Sequence, residues 1–200
     1  MGELKGIQEL FEGRHFDREV IILCVRWYLR FKLSLRDLVE MMSERGLSIA
    51  HTTIMRWVHH YAPEFEKRWQ RFAGEVGRSW RVDATYVKIR GEWCYLYRAV
   101  DRAGRTVDFR LSARRNVGAA KAFFRKAVKG QRRAPETITL DGYVKQRIKV
   151  MLGFKGFRHA AITIAGIELM HRIRKGQFRL DRLGAQCRTA PAIWNAVIGA

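Results

Sequence analysis

A mixed chain of α+β or α/β class is predicted, helical in its first third and built on a β-sheet beyond it. Up to Phe72 the apolar residues recur at helical spacing, whereas from Trp80 they alternate with a period of two. Between the two regimes lies Ala73–Ser79, AGEVGRS, which has two glycines and little apolar content. Hydrophobic residues make up 48% of the 200, enough for a packed core and too many for a disordered chain. The break divides the chain into a helical domain over 1–73, a sheet-based domain over 80–178 and a C-terminal tail over 179–200.

Asp17 is placed to cap a helix whose apolar face runs through Val20, Leu23, Cys24, Trp27 and Phe31. Ser34 caps the next, with Leu35, Leu38, Val39 and Met42 at helical spacing, and Arg45-Gly46 stops it. A third helix begins near Ala50, reads HTTIMRWVHHYA, and is expected to end at Pro63. Two short helices joined by a tight Gly-containing turn make a helix-turn-helix pattern. Ile54, Trp57, Val58 and Tyr61 form the inward set of the third helix. That leaves His51, Thr52, Thr53, Arg56 and His59 towards solvent or a DNA groove. Short hydroxyls and an arginine near a helix N-terminus suit base and phosphate contact. The same pattern also suits an ordinary helical hairpin.

Arg81–Ile89 alternates and is rich in β-branched and aromatic residues, as a strand requires. Arg90-Gly91 turns into a second strand, Glu92–Val100, and Asp101–Gly104 turns into a third, Arg105–Leu111. The three form an antiparallel meander. Asn116 caps a basic helix, VGAAKAFFRKAVKG, that ends at Gly130, and a short strand, Thr137–Leu140, then delivers Asp141 at its end. The remainder is helical, chiefly Phe157–Lys175, before a polar turn and an apolar patch around Ile193-Trp194.

Charge narrows the function. Thirty-nine Lys and Arg against nineteen Asp and Glu give +20 and a pI near 10.8. So basic a chain is suited to a polyanion, and the polyanion that cells hold most of is nucleic acid. Residues 1–80 are nearly neutral, with 13 basic and 11 acidic residues, whereas 114–133 hold eight basic residues and no acid. Arg114, Arg115, Lys121 and Arg125 of that run, with Lys145, Arg147 and Lys149 beyond it, are DNA-binding candidates. No apolar run approaches the ~20 residues that span a bilayer, and the N-terminus lacks a basic-then-apolar signal pattern. The expected location is therefore the cytoplasm, at the nucleoid, with no membrane partner. Cys24, Cys94 and Cys187 are far apart and read as buried or incidental thiols, not as a disulfide framework or a zinc site.

Three antiparallel strands, a helix and a fourth strand open a ribonuclease-H-like fold. There strand one is central and strand four lies parallel beside it, so Asp83 and Asp141 become neighbours. Two carboxylates in a basic setting suit Mg²⁺, which takes a few carboxylate oxygens plus water and substrate phosphate. Equally, Asp83 suits an exposed strand position and Asp141 a turn before Gly142.

Four stretches carry a resemblance to a known family. They are GRHFDREVIILCVRWYLRFKLSLRDLVEMMSERGLSIAHTTIMRWVHHYAPEFEKRW, WRVDATYVKIRGEWCYLYRAVDRAGRTVDFRLSARRN, TITLDGY and KQRIKVMLGFKGFRHAAITIAGIELMHRIRKGQF, together nearly the whole chain. In them the chain resembles bacterial insertion-sequence transposases of the DDE type, specifically the IS-six family. The resemblance implies a helix-turn-helix that recognises double-stranded DNA at terminal inverted repeats, a ribonuclease-H-like core, Mg²⁺-dependent strand cleavage and transfer, and a homo-oligomer. It makes Asp83 the first catalytic acid and metal ligand, and Asp141 the second.

The family's third acid, a Glu farther along, has no counterpart here, because Asp141-Gly142-Tyr143 runs almost at once into Val144-Lys145-Gln146-Arg147. An internal deletion after Tyr143 is implied, and with it a truncated core. Glu168 is the nearest other carboxylate, but it stands four residues before Arg172, where a helical ion pair explains it. Two functions follow: a transposase, or an inactive deletion derivative that only binds DNA or competes with transposition. A helix-turn-helix regulator is a third reading, and it leaves the β-meander unexplained.

Overall fold

The computed structural model describes residues 6–31, 33–140, 154, 156–181 and 189–199. These fall into two compact units. One is drawn from Met1–Ala73, Ala165–His171 and Phe178–Ala200, the other from Gly74–Ile164 and Arg172–Gln177.

The first unit is helical: α1 (Ile7–Phe11), α2 (Arg18–Arg30), α3 (Leu35–Ser43), α4 (His51–Gln70), part of α6 (Phe157–Arg174) and α7 (Ala190–Gly199). Asp17 stands at the N-cap of α2 but makes no side-chain cap bond. The buried face of α2 is also rotated from the predicted one. Ile21, Ile22, Cys24, Val25 and Leu29 are buried, Val20, Leu23 and Trp27 are half-buried, and Phe31 is exposed. Six apolar residues in a row, Val20–Val25, leave the periodicity unable to choose which stripe faces inward.

Local chemistry sets α3 at both ends. Ser34 Oγ accepts from the Asp37 N–H at 3.1 Å, and the Asp37 carboxylate accepts from the Ser34 N–H at 2.7 Å, which is a capping box. The Ser34 N–H bond holds the Asp37 carboxyl below the ordinary carboxylate range. At the other end Gly46, at φ 74°, lets the Leu47 N–H reach Met42 O and the Gly46 N–H reach Ser43 O, both at 2.9 Å.

Contrary to the predicted stop, α4 continues through Pro63 to Gln70. An interior proline costs a helix about 3 kcal/mol by losing a bond and crowding the preceding turn. Phe65 and Trp69, fully buried beyond it, offset that cost, since each large apolar side chain contributes about 1.5–3 kcal/mol on burial. Phe65 and Trp69 both meet Trp194 of α7 edge-on, at 5.3 and 5.4 Å, and Phe11 stacks on Tyr61 at 4.8 Å. The apolar patch around Ile193-Trp194 is thus part of this core. Gly166 of α6 allows the close approach to α2, because a Cβ there would stand 2.6 Å from a Leu29 methyl.

The second unit holds β1 (Ser79–Ile89), β2 (Glu92–Asp101), β3 (Thr106–Ser112), α5 (Val117–Gln131) and β4 (Thr137–Leu140) in a sheet of order β3-β2-β1-β4. β1 and β2 join through Arg90 (φ 51°) and Gly91 (φ 85°), the two positive values that a tight hairpin turn needs. β1 and β2 pair antiparallel, and β1 and β4 pair parallel. α5 packs Phe123 and Ala127 on one face, against Trp80, Val82, Tyr97 and Ala99. On the other face Ala160 and Ile164 of α6 meet Val87, Ile89, Cys94 and Leu96. Asn116 caps α5 by accepting from the Ala119 N–H at 2.8 Å. The helix runs past Gly130 and stops at Arg132, which is left-handed at φ 56°. This mixed α and β unit fits a ribonuclease-H-like core. β4 is an exposed edge, with Ile138 46% and Leu140 70% exposed. Among the described residues no helix is long and apolar enough to cross a membrane.

Candidate functional site

Asp83 lies near the middle of β1, half-buried, across the antiparallel ladder from Arg98. Strand alternation puts it on the face of Thr85, Val87 and Ile89, where α6 packs, and away from α5. In the parallel ladder Val82 pairs with Leu140, the last residue of β4. Asp141 lies outside the described residues, as do Lys145, Arg147, Lys149 and Cys187. Among the described residues no group of three or more His, Cys, Asp or Glu side chains is gathered as for a metal ion.

Other carboxylates of this unit serve structure. Asp101 is 3% exposed and accepts from the Gly77 N–H at 2.7 Å, the Arg105 N–H at 2.9 Å and Arg105 Nε at 2.7 Å. Burial alone would raise its pKa, but these bonds outweigh it and hold the carboxyl below its ordinary range. In the sequence Asp101 reads only as a turn residue. Asp108 pairs with Lys126 at 2.7 Å and Glu136 with Arg78 at 2.6 Å. Glu168 belongs to the helical unit, where it is 5% exposed and its Oε1 stands 3.9 Å from His171 Nδ1. Cys24 and Cys94 are both buried, and burial pushes the Cys24 thiol up to about 11. Neither is poised as a nucleophile.

In the helical unit, Ile54, Trp57, Val58 and Tyr61 of α4 are all buried. His51 and Arg56 are exposed, and Thr52, Thr53 and His59 are half-buried. In the sheet unit Arg114 and Arg115 are exposed between β3 and α5, where the Arg114 carbonyl accepts from Ser112 Oγ at 2.8 Å. Lys121 and Arg125 lie one turn apart on the side of α5 turned away from Phe123 and Ala127. Lys129 continues that row at the same spacing and is exposed too. Sequence reasoning passed over it, although the four-residue step from Arg125 was the signal.

Residues 77–144 match the family described as a DDE domain. The chain is 36% identical over 148 residues to the transposase for insertion sequence-like element IS431mec of Staphylococcus aureus (strain Mu50), covering 74% of this chain and 66% of that protein. It is equally similar, over the same shares, to the transposase for insertion sequence element IS257 in transposon Tn4003 of Staphylococcus aureus. Over 69 residues it is 37% identical to the uncharacterized protein pYV0051 of Yersinia pseudotuberculosis, covering 34% of this chain and 64% of that one. The sheet, its parallel fourth strand and the matched segment define a DDE transposase domain. Within that class the chain belongs to the IS-six family of insertion-sequence transposases. It spans 66%, just under two thirds, of the length of the staphylococcal relatives.

Proposed function

We infer that the chain binds double-stranded DNA at the terminal inverted repeats of an insertion sequence, and that its own core does not cut or join those ends. The α3–α4 pair acts as the helix-turn-helix of a recognition domain over 1–73. Along the sequence, a truncated transposase core over 80–178, which contains the sheet, is followed by a C-terminal tail, 179–200. The observation that carries the reading is the parallel pairing of β1 with β4, since Val82 and Leu140 stand opposite and each precedes an aspartate in the chain. Asp83 and Asp141 are then the first two catalytic acids and the ligands offered to Mg²⁺.

Two carboxylates are an incomplete donor set for a pair of Mg²⁺ ions, so weak metal binding is expected. Support comes from the deletion implied after Tyr143, which removes the third acid. His51, Thr52, Thr53, Arg56 and His59 would face the groove. Arg114, Arg115, Lys121 and Arg125, with Lys145, Arg147 and Lys149, would meet phosphates, and the chain would work as a homo-oligomer in the cytoplasm, at the nucleoid.

Binding to duplexes with and without the inverted repeat, titrated against salt, tests the reading. Each phosphate neutralised contributes a slope of about −0.9 in log K against log salt, so several such contacts give a steep decline. A binding constant indifferent to salt, or equal for both duplexes, contradicts it.

A further inference from the structure

Among the described residues α5 covers only part of its face of the sheet. It rests on Val82, Tyr97 and Ala99, and towards the hairpin the same face continues through Tyr86 and Lys88 of β1 and Trp93 and Tyr95 of β2. Tyr86 pairs with Tyr95 across the ladder, and Lys88 with Trp93. The Tyr86 ring is tilted against Tyr95 at 5.2 Å and stands edge-on to Trp93 at 6.1 Å. Lys88 Nζ lies 5.7 Å from the centre of the Trp93 ring, and Arg115 Nη1 donates to Tyr86 Oη at 3.1 Å. Trp93 is 57% exposed, although its ring is supported from the side by Tyr86.

An indole left mostly in water forgoes the burial that core tryptophans gain, and this one has Lys88 beside it and Arg115 on the neighbouring Tyr86. Aromatic faces set beside Lys and Arg form the arrangement that holds single-stranded nucleic acid: rings stack on bases of any sequence and cations meet the phosphates between them. Bases of an intact duplex are already stacked on both faces, so the site suits an unpaired one. Tyr86 is three residues from Asp83 along β1, roughly 10 Å by strand rise, and faces the opposite side of the sheet.

We propose that the platform of Trp93 and Tyr86 stacks an unpaired nucleobase of single-stranded DNA, with Lys88 and Arg115 on the neighbouring phosphates. This rests on the DNA-binding reading above. The experiment compares the full chain's affinity for a blunt duplex and for the same duplex carrying a short 3′ tail of thymidines. The tail should tighten binding about tenfold, the order that stacking one base supplies. Trp93→Ala should abolish that gain with blunt-duplex affinity and melting temperature unchanged, Trp93→Phe should keep most of it, and Lys88→Gln should lower its salt dependence by about one phosphate. A tail that gives no gain, or a gain that survives Trp93→Ala, overturns the proposal while leaving duplex binding intact. Failure to bind either DNA overturns the DNA-binding reading and the platform together.

Discussion

Val82 and Leu140 face each other across the parallel ladder of β1 and β4, and each is followed in the chain by an aspartate. The arrangement arises from strand chemistry. Trp80 and Val82 bury beneath α5, which anchors β1, and β4 adds to the side of β1 away from β2. Half-buried Asp83 stands on the other face, held by the strict alternation of side chains along the strand.

Sequence discrimination should reside in α4. Replacing Thr53 and Arg56 together by Ala should reduce the preference for inverted-repeat over random duplex more than it reduces affinity for random duplex, because base contacts specify and phosphate contacts position. Competition binding with the two duplexes reads the difference. Equal losses on both would assign these side chains to phosphates alone.

Asp101 should govern acid stability of the sheet unit. Its folded carboxyl is held below the ordinary range. Its contribution is therefore complete above the unfolded pKa of ~3.9 and is lost as pH falls through the folded value. Asp101→Asn should cost about 1–3 kcal/mol at neutral pH and flatten the acid limb of a stability-against-pH curve measured by denaturant unfolding. An unchanged acid limb would show that the Gly77 and Arg105 bonds do not favour the ionised form.

Gly166→Val should destabilise the helical unit by about 1–3 kcal/mol, since the new side chain meets the buried Leu29 methyls. Combining it with Leu29→Ala should cost less than the sum of the single changes, because the second opens room for the first. Thermal unfolding of the four proteins measures the coupling, and strict additivity would contradict the contact.

Hydrogen exchange should divide the sheet. Amides of Val82–Val100 should exchange slowly, and those of Thr137–Leu140 fast, since the edge strand is exposed along its whole length. Equal protection of the two segments would mean that the edge is covered in solution.

Much of this architecture was legible because its signals are local. The meander follows from alternation, α3 from Ser34 and Gly46, and α5 from Asn116. The bounds of β4 and the inward set of α4 were read correctly as well. What the sequence hid depends on distant partners. Pro63 reads as a stop until Trp194 of α7 is seen to reward Phe65 and Trp69 beyond it. Asp101 reads as a turn former because Gly77, the partner that keeps it buried, lies in a segment read only as a break. Of the candidate site, the place of Asp83 on its strand is legible in the sequence, whereas the grouping of Trp93 with Tyr86 and Lys88 needs the cross-strand register, which a one-residue slip would scatter to the opposite face.

On the proposed function, the chain keeps DNA recognition and lacks a complete catalytic centre. An end-cleavage assay with Mg²⁺ and with Mn²⁺, run on the chain and on its Asp83→Asn variant, tests it most directly. Both proteins should bind inverted-repeat DNA and neither should cut or join it, because losing one member of a catalytic unit removes orders of magnitude in rate that the others cannot restore. Metal-dependent cleavage by the chain that Asp83→Asn abolishes would contradict the claim and show that another carboxylate completes the site.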